Sequence, residues 1–396
     1  DRCSVTRIRD MIVACTLTLL AVAPAAVLAQ SAPGGSVLES TFVRDVGKQG
    51  LDHLYNLEFE DAQAAFTRID RRFPGHPIGP FLQSLTIWWE ILLDIQDRSR
   101  DDAFYRAMDE VIKRSDRMLD RDRANVDAMF FKGAALGFRG RLKSNRGDWF
   151  KAAMDGKKAM DYVLAVPEVD AGNPDFVFGK GLYDYFAAIV PRRYPFVKPV
   201  MAFFPKGDRE LGLQEIQRTA DSGYFIRAEA AYFLLQINYL YELDYEGCLK
   251  YVNWLRDQYP RNSFFHALEG RIYAKWNQRD RAATVFRDIV DLYQEHRTGY
   301  NDPLAEQALY YLARLRMSDR DYDGALTYLL QLEALSARSA DDTYFKVVGR
   351  LRQGMAYDAL GRRTLATTRY REVLKMRDHA RAHDRAERYL KNPYRG

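Results

Sequence analysis

Apolar residues recur at three- and four-residue spacing from residue 44 almost to the C-terminus, in runs of helical length separated by short polar breaks. That period predicts amphipathic helices, and the runs fall in pairs. Residues 264–293 read as two antiparallel helices split by a polar turn at 277–280. Pairs are predicted at 44–74, at 80–95 with 101–119, at 124–140 with 147–165, at 225–242 with 245–259, at 304–317 with 321–335 and at 343–360 with 363–376. Small and aromatic residues keep fixed places in them. Gly270, Tyr273, Ala282, Phe286 and Ile289 are matched by Gly50, His53, Ala62, Phe66 and Ile69, with His53 in an aromatic's place, and by Gly354, Tyr357, Ala366, Tyr370 and Val373. Tyr322, Ala325 and Leu329 keep part of the register. A small residue lets two helices touch, and the aromatic fills the gap beside it. One such hairpin cannot bury its own apolar face, so the pattern implies stacked neighbours, closed by a polar capping helix at about 379–391.

The pattern breaks between residues 167 and 207, which hold six of the 14 prolines. A helix over 175–190 is expected, then an irregular insert, because each proline removes a donor and crowds the turn before it. Asp208 is placed to cap the next helix. Two clusters here and upstream have two readings each. Arg192, Arg193, Tyr194, Lys198, Lys206 and Arg209, interleaved with Phe196, Phe203 and Phe204, suit an anionic headgroup surface or an acidic peptide. Equally, the insert is a plug that turns its aromatics inward and leaves its cations in water. Trp88 and Trp89 cannot face one way on a helix. They either both lie in the core between layers, or one of them faces a groove or membrane. Residues 139–146, with Arg139, Arg141, Lys143 and Arg146, read as a basic connection between two helices.

The first residues carry a different signal. Arg7 and Arg9 precede an apolar run over 11–23, then Pro24 and Val27-Leu28-Ala29. Basic, apolar and small-residue regions in that order predict a secretory signal over 1–29, so the protein is expected in the periplasm, at the outer membrane, or secreted. Residues 30–43 read as a flexible lead-in and 44–396 as a single helical solenoid. Past the signal only Cys248 remains, which makes no internal disulfide and reads as a small buried hydrophobe.

Composition narrows the function. The chain has 396 residues, 47% hydrophobic and 29% charged, which is ordinary globular usage. Its net charge of +5 is small for the length and no basic stripe stands out, which argues against nucleic acid. No HExxH, phosphate-binding loop or nucleophile elbow occurs, and Gly179-Lys180-Gly181 lacks the third glycine and preceding strand of a dinucleotide site. His379 and His383, beside Asp378 and Asp384, stand four apart on the expected cap helix. That spacing could hold a metal, but a surface-charged cap is the plainer reading. No catalytic, cofactor-binding or metal residue is therefore expected, and the protein is read as non-enzymatic.

The hairpin signature resembles the tetratricopeptide repeat (TPR), which implies an all-α, right-handed alpha–alpha superhelix. YNLEFEDAQAAF near the start and GKGLYDYFAAIVPRRYPFVKPVMAFFPKGDRELGLQEI in the middle resemble, more finely, the eukaryotic inclusion-body-clearance family of TPR proteins. The shared features are a Gly-Xaa-aromatic helix at 181–183, a Pro-Arg break at 191–192 and a Gly-Asp-Arg-Glu-Xaa-Gly-Leu helix start at 207–213. That resemblance implies association with mitochondrial outer membranes and lipid droplets and carries over no catalytic residue. The export signal departs from it and points to a bacterial, envelope-located form. The expected function is an exported scaffold holding a protein or peptide in the concave groove of the first helices, through Asn238, Tyr241, Arg271, Lys275, Arg314 and Arg350. The alternative is peripheral docking on a membrane through residues 191–209.

Overall fold

The computed structural model describes residues 36–195, 198 and 204–396, so the signal expected over 1–29 lies outside the described residues. Every regular element among the described residues is helical, and the chain divides into two compact units. The first ends at Tyr259 and contains five hairpins: α1 (Thr41–Tyr55) with α2 (Phe59–Arg72), α3 (Ile78–Leu93) with α4 (Asp101–Leu119), α5 (Val126–Asn145) with α6 (Trp149–Val169), α7 (Phe178–Arg193) with α8 (Arg209–Ser222), and α9 (Arg227–Ile237) with α10 (Tyr245–Gln258). The second unit, Pro260–Gly396, contains α11 (Ser263–Lys275) with α12 (Arg279–Gln294), α13 (Asp302–Ser318) with α14 (Tyr322–Ser336), α15 (Tyr344–Ala359) with α16 (Arg363–Val373), and a last helix, α17 (Ala382–Lys391). Within each unit consecutive hairpins pack on one another, which is the TPR-like solenoid arrangement.

The turns inside the hairpins repeat as closely as the helices do. Leu57, Gly147, Leu243, Asn277, Arg320 and Gly361 all have positive φ, and each stands two residues before the second helix of its pair. In five of the six, the next N–H donates to a carbonyl five residues back: Glu58 to His53 at 2.9 Å, Asp148 to Lys143 at 2.9 Å, Gln278 to Tyr273 at 2.8 Å, Asp321 to Arg316 at 2.9 Å and Arg362 to Tyr357 at 2.8 Å. A left-handed residue thus ends the first helix, satisfies one of its orphan carbonyls and reverses the chain.

Packing explains the small-and-aromatic register. A Cβ added at Gly50 would lie 2.4 Å from the Phe66 ring, one at Gly270 2.9 Å from Phe286, and one at Gly354 2.4 Å from Tyr370. Phe66, Phe286 and Tyr370 are fully buried, as are Ala62, Ala282 and Ala366 beside them. Trp88 and Trp89 are both buried, against different neighbours, Trp88 5.5 Å from Phe104 and Trp89 5.6 Å edge-on to Tyr55. Cys248 is fully buried too.

Four expectations need correction. The stretch 167–207 is less irregular than its prolines imply. Pro167 and Pro191 both sit inside the last turn of a helix, α6 and α7, where each forfeits one backbone bond and the chain runs on for two further residues. Residues 139–146 are not a loop, since α5 runs on to Asn145. The lead-in is structured where described: Val37–Glu39 is a 3-10 turn, Leu38 is buried, and Val37 N–H donates to Asp127 at 2.7 Å. Lastly, His379 and His383 do not share a helix. Ala380 and Arg381 are both left-handed, α17 starts at Ala382, and the two Nε2 atoms hydrogen-bond the Asp342 and Met376 carbonyls at 2.8 and 2.9 Å.

Candidate functional site

In the second unit, three alternate helices, α13, α15 and α17, bring arginines together. α13 is started by Asn301, whose side chain accepts from Leu304 N–H at 3.1 Å, and α15 by Thr343, whose hydroxyl accepts from Lys346 N–H at 3.3 Å. α17 follows its left-handed pair, with Asp378 accepting from His383 N–H at 3.1 Å. These starts place Arg314, Arg352 and Arg385 around the buried ring of Tyr310. Arg352 Nε donates to the Tyr310 hydroxyl at 3.1 Å and its guanidinium carbon stands 5.2 Å from the ring centre. Arg314 lies 5.2 Å over the Tyr311 ring and 5.9 Å over Tyr310.

No carboxylate among the described residues lies within ion-pairing distance of any of the three. Their further contacts are weak: Arg352 Nη1 to Met317 Sδ at 3.8 Å, and Arg385 Nη2 to Met355 Sδ at 3.5 Å. A guanidinium has five donors in a fixed fork, so most of the donors here remain open. Tyr310 registers the field. Burial pushes its hydroxyl pKa up, but Arg352, Arg314 and Arg385 outweigh that and hold it below the usual tyrosine value. Tyr344, nearby but governed by burial, is pushed up to about 12. The chemistry on offer is recognition of negative charge on an aromatic floor.

The other side of α15 shows the contrast. Arg350 bonds Glu333 at 2.8 Å and Glu372 at 2.5 Å, and Arg369 approaches the same two carboxylates at 3.3 and 3.0 Å. That network balances its own charge. Of the six groove residues read from the sequence, only Arg314 belongs to the open cluster. Asn238 and Tyr241 lie in the first unit, in a π turn over Asn238–Glu242, with the Tyr241 ring 5.6 Å from Phe186. Arg271 and Lys275 are on α11, Lys275 standing 4.6 Å over Trp276. Arg352 and Arg385 were missed. Arg352 lies two residues from Arg350, about 200° around the helix at about 100° per residue, so the register that chose one excluded the other.

The basic-aromatic cluster divides as well. Arg192, Arg193, Lys198 and Lys206 are exposed, whereas Arg209 is ion-paired to Glu242 and Glu210. Of its described aromatic neighbours, Phe204 is buried, and Tyr183 donates its hydroxyl to the Pro205 carbonyl at 2.6 Å. Phe196 and Phe203 lie outside the described residues.

No protein-family model matches the chain, and no curated protein matches it. Among solved structures it aligns with a chain of one titled "Crystal structure of APC/C hetero-tetramer Cut9-Hcn1", over 90% of this chain and 91% of that one, at 11% identity and a TM-score of 0.24. The repeat assignment therefore rests on the hairpin turns and the glycine–aromatic contacts.

Proposed function

We propose that the protein is a non-enzymatic, exported TPR-like scaffold whose second unit binds an acidic segment of a partner protein in the cell envelope. The observation that carries this reading is the set of three arginines, Arg314, Arg352 and Arg385, standing around Tyr310 without a carboxylate partner among the described residues. Two of them come from first helices of successive hairpins, the elements that line the groove of a helical solenoid. Export is supported by the basic, apolar and small-residue order of residues 1–29, and the envelope setting by the same feature.

The test is fluorescence anisotropy with a labelled Asp- and Glu-rich peptide against the mature chain. Binding should weaken with added salt. Changing Arg314, Arg352 and Arg385 to serine should lower affinity about tenfold or more per side chain, since a bond to a charged group is worth about 1.5–3 kcal/mol. Equal binding by native and triple-variant protein, with unchanged circular dichroism, would reject the site. Crosslinking in the envelope then identifies the partner.

A second reading, peripheral docking on an anionic membrane, draws on Arg192, Arg193, Lys198 and Lys206, all exposed in one segment. No helix among the described residues is long and apolar enough to cross a membrane. Flotation with anionic vesicles should show binding that is lost when these four become serine. Absence of flotation by the native chain would remove this reading and leave the arginine cluster untouched.

A further inference from the structure

The first unit closes on itself. Tyr55, at the end of α1, donates its hydroxyl to Glu229 of α9 at 3.2 Å, and its ring lies 4.9 Å from that of Tyr259, tilted by 45°. A Cβ added at Gly47 would lie 2.9 Å from the Phe225 ring. Asp175, buried, fixes the start of α9 by accepting from the N–H groups of Tyr224, Phe225 and Ile226 at 3.1–3.2 Å. The first and fifth hairpins thus meet, and the first helices of all five surround a cavity of about 370 Å³. That is within the roughly 300–1,000 Å³ of small-molecule sites.

The wall is almost wholly apolar. Aromatics of the proline-rich stretch, Phe176, Phe178 and Phe186, form part of it, and Leu38 of the N-terminal turn another part. Water would find few partners along this wall. The main polar feature is Arg141. Its guanidinium lies between two rings, 5.0 Å from Trp88 and 5.4 Å from Phe233. Its Nε is buried without a hydrogen-bond partner, and no carboxylate among the described residues lies within ion-pairing distance. Its neighbours on the helix differ: Arg139 and Lys143 are paired with Asp155, and Arg146 with Asp101. Glu229 also lines the cavity. Burial raises its carboxyl pKa, against the opposing pull of Arg141 and the Tyr55 hydroxyl.

We propose that this cavity holds a single-chain amphipathic acid, its hydrocarbon tail along the aromatic wall and its carboxylate on Arg141. A tail fills apolar space that none of the described residues fills, and the head supplies the acceptor that the buried Nε of Arg141 lacks. Association needs no covalent step and is independent of the arginine cluster in the second unit.

The test uses the full mature chain, stripped of bound lipid by denaturation and refolding, with hexadecanoate and its neutral analogue hexadecanol as probes read by native mass spectrometry and calorimetry. One hexadecanoate per chain should bind. Arg141→Met should lower affinity for the acid about tenfold or more and leave that for the alcohol nearly unchanged. Gly137→Phe is the second variant: Gly137 lines the cavity, a Cβ there meets nothing within 4 Å, and the site is helical, so the added ring should block both probes without loss of stability. The Arg314, Arg352 and Arg385 triple variant should bind hexadecanoate as the native chain does. Failure of refolded native protein to bind either probe would overturn the proposal. Loss of acid and alcohol binding in equal measure on Arg141→Met would overturn the role of the head group.

Discussion

Phe286→Ala should destabilise the second unit by about 3–5 kcal/mol, the range for deleting a buried aromatic. Phe286 is fully buried, stacked 4.7 Å from Tyr311 with the rings within 11° of parallel, and its edge lies against the backbone of Gly270. The ring therefore joins α11, α12 and α13. Its loss leaves a hole that Gly270, having no side chain, cannot close. Phe286→Leu keeps much of the volume and should cost less, about 1–2 kcal/mol. Gly270→Ala attacks the same contact from the other side, since its Cβ would lie 2.9 Å from the ring, and should cost about 1–3 kcal/mol. The two changes touch, so the double variant Gly270→Ala/Phe286→Leu should be more stable than the sum of the singles by more than about 0.5 kcal/mol. Hydrogen exchange resolved by helix is the suitable measurement, because two units need not unfold in one transition. Strict additivity would show that the glycine–aromatic pairing is not what spaces these helices.

That pairing was legible from sequence because it is local. A glycine and an aromatic at a fixed separation across a short turn have one way to meet, and three copies repeat it. Helix ends were legible to a few residues for the same reason: Asp208, expected as a cap, accepts from Glu210 and Leu211 N–H at 2.9 and 3.1 Å. The prolines misled. Their rule forbids a helix interior, but Pro167 and Pro191 occupy final turns, and Pro167 is buried, so packing compensates the lost bond. Reading 139–146 as a connection hid a signal that was present. At about 100° per residue, Arg139, Lys143 and Arg146 fall within about 60° of one another, and Arg141 stands about 200° away. The helix alone therefore predicts that three of these cations share a partner surface and the fourth faces elsewhere. The cavity had no such signature. A void belongs to no residue, and this one exists only because α1 meets α9, a closure set by residues as far apart in the chain as Tyr55 and Glu229.

The surface those three cations share includes Asp155 of α6, and its removal should be as damaging as loss of a core ring. Asp155 is buried, with Arg139 bonded through Nε at 2.8 Å and Nη2 at 2.6 Å, and Lys143 at 2.7 Å. Asp155→Ala leaves two half-buried cations short of a partner, although Arg139 keeps Asp109 at 2.5 Å, and should cost about 3 kcal/mol, the lower end for a broken buried pair. Acid gives a sharper test. Burial alone would raise the Asp155 pKa, but hydrogen bonds and charge from Arg139 and Lys143 outweigh it and hold the carboxyl below its usual value. The folded state therefore binds this proton less tightly than the unfolded chain, whose carboxyl titrates near about 3.9. Its contribution is complete above that value and is lost as pH falls through the depressed folded pKa. Urea unfolding of native protein and Asp155→Asn at neutral pH and at steps down through pH about 3 isolates the effect, since every other carboxylate is common to both. The stability difference should be constant near neutrality and shrink on acidification. A difference that stays constant into strong acid would mean that Asp155 contributes by packing alone, and that the α5–α6 hairpin does not depend on its charge.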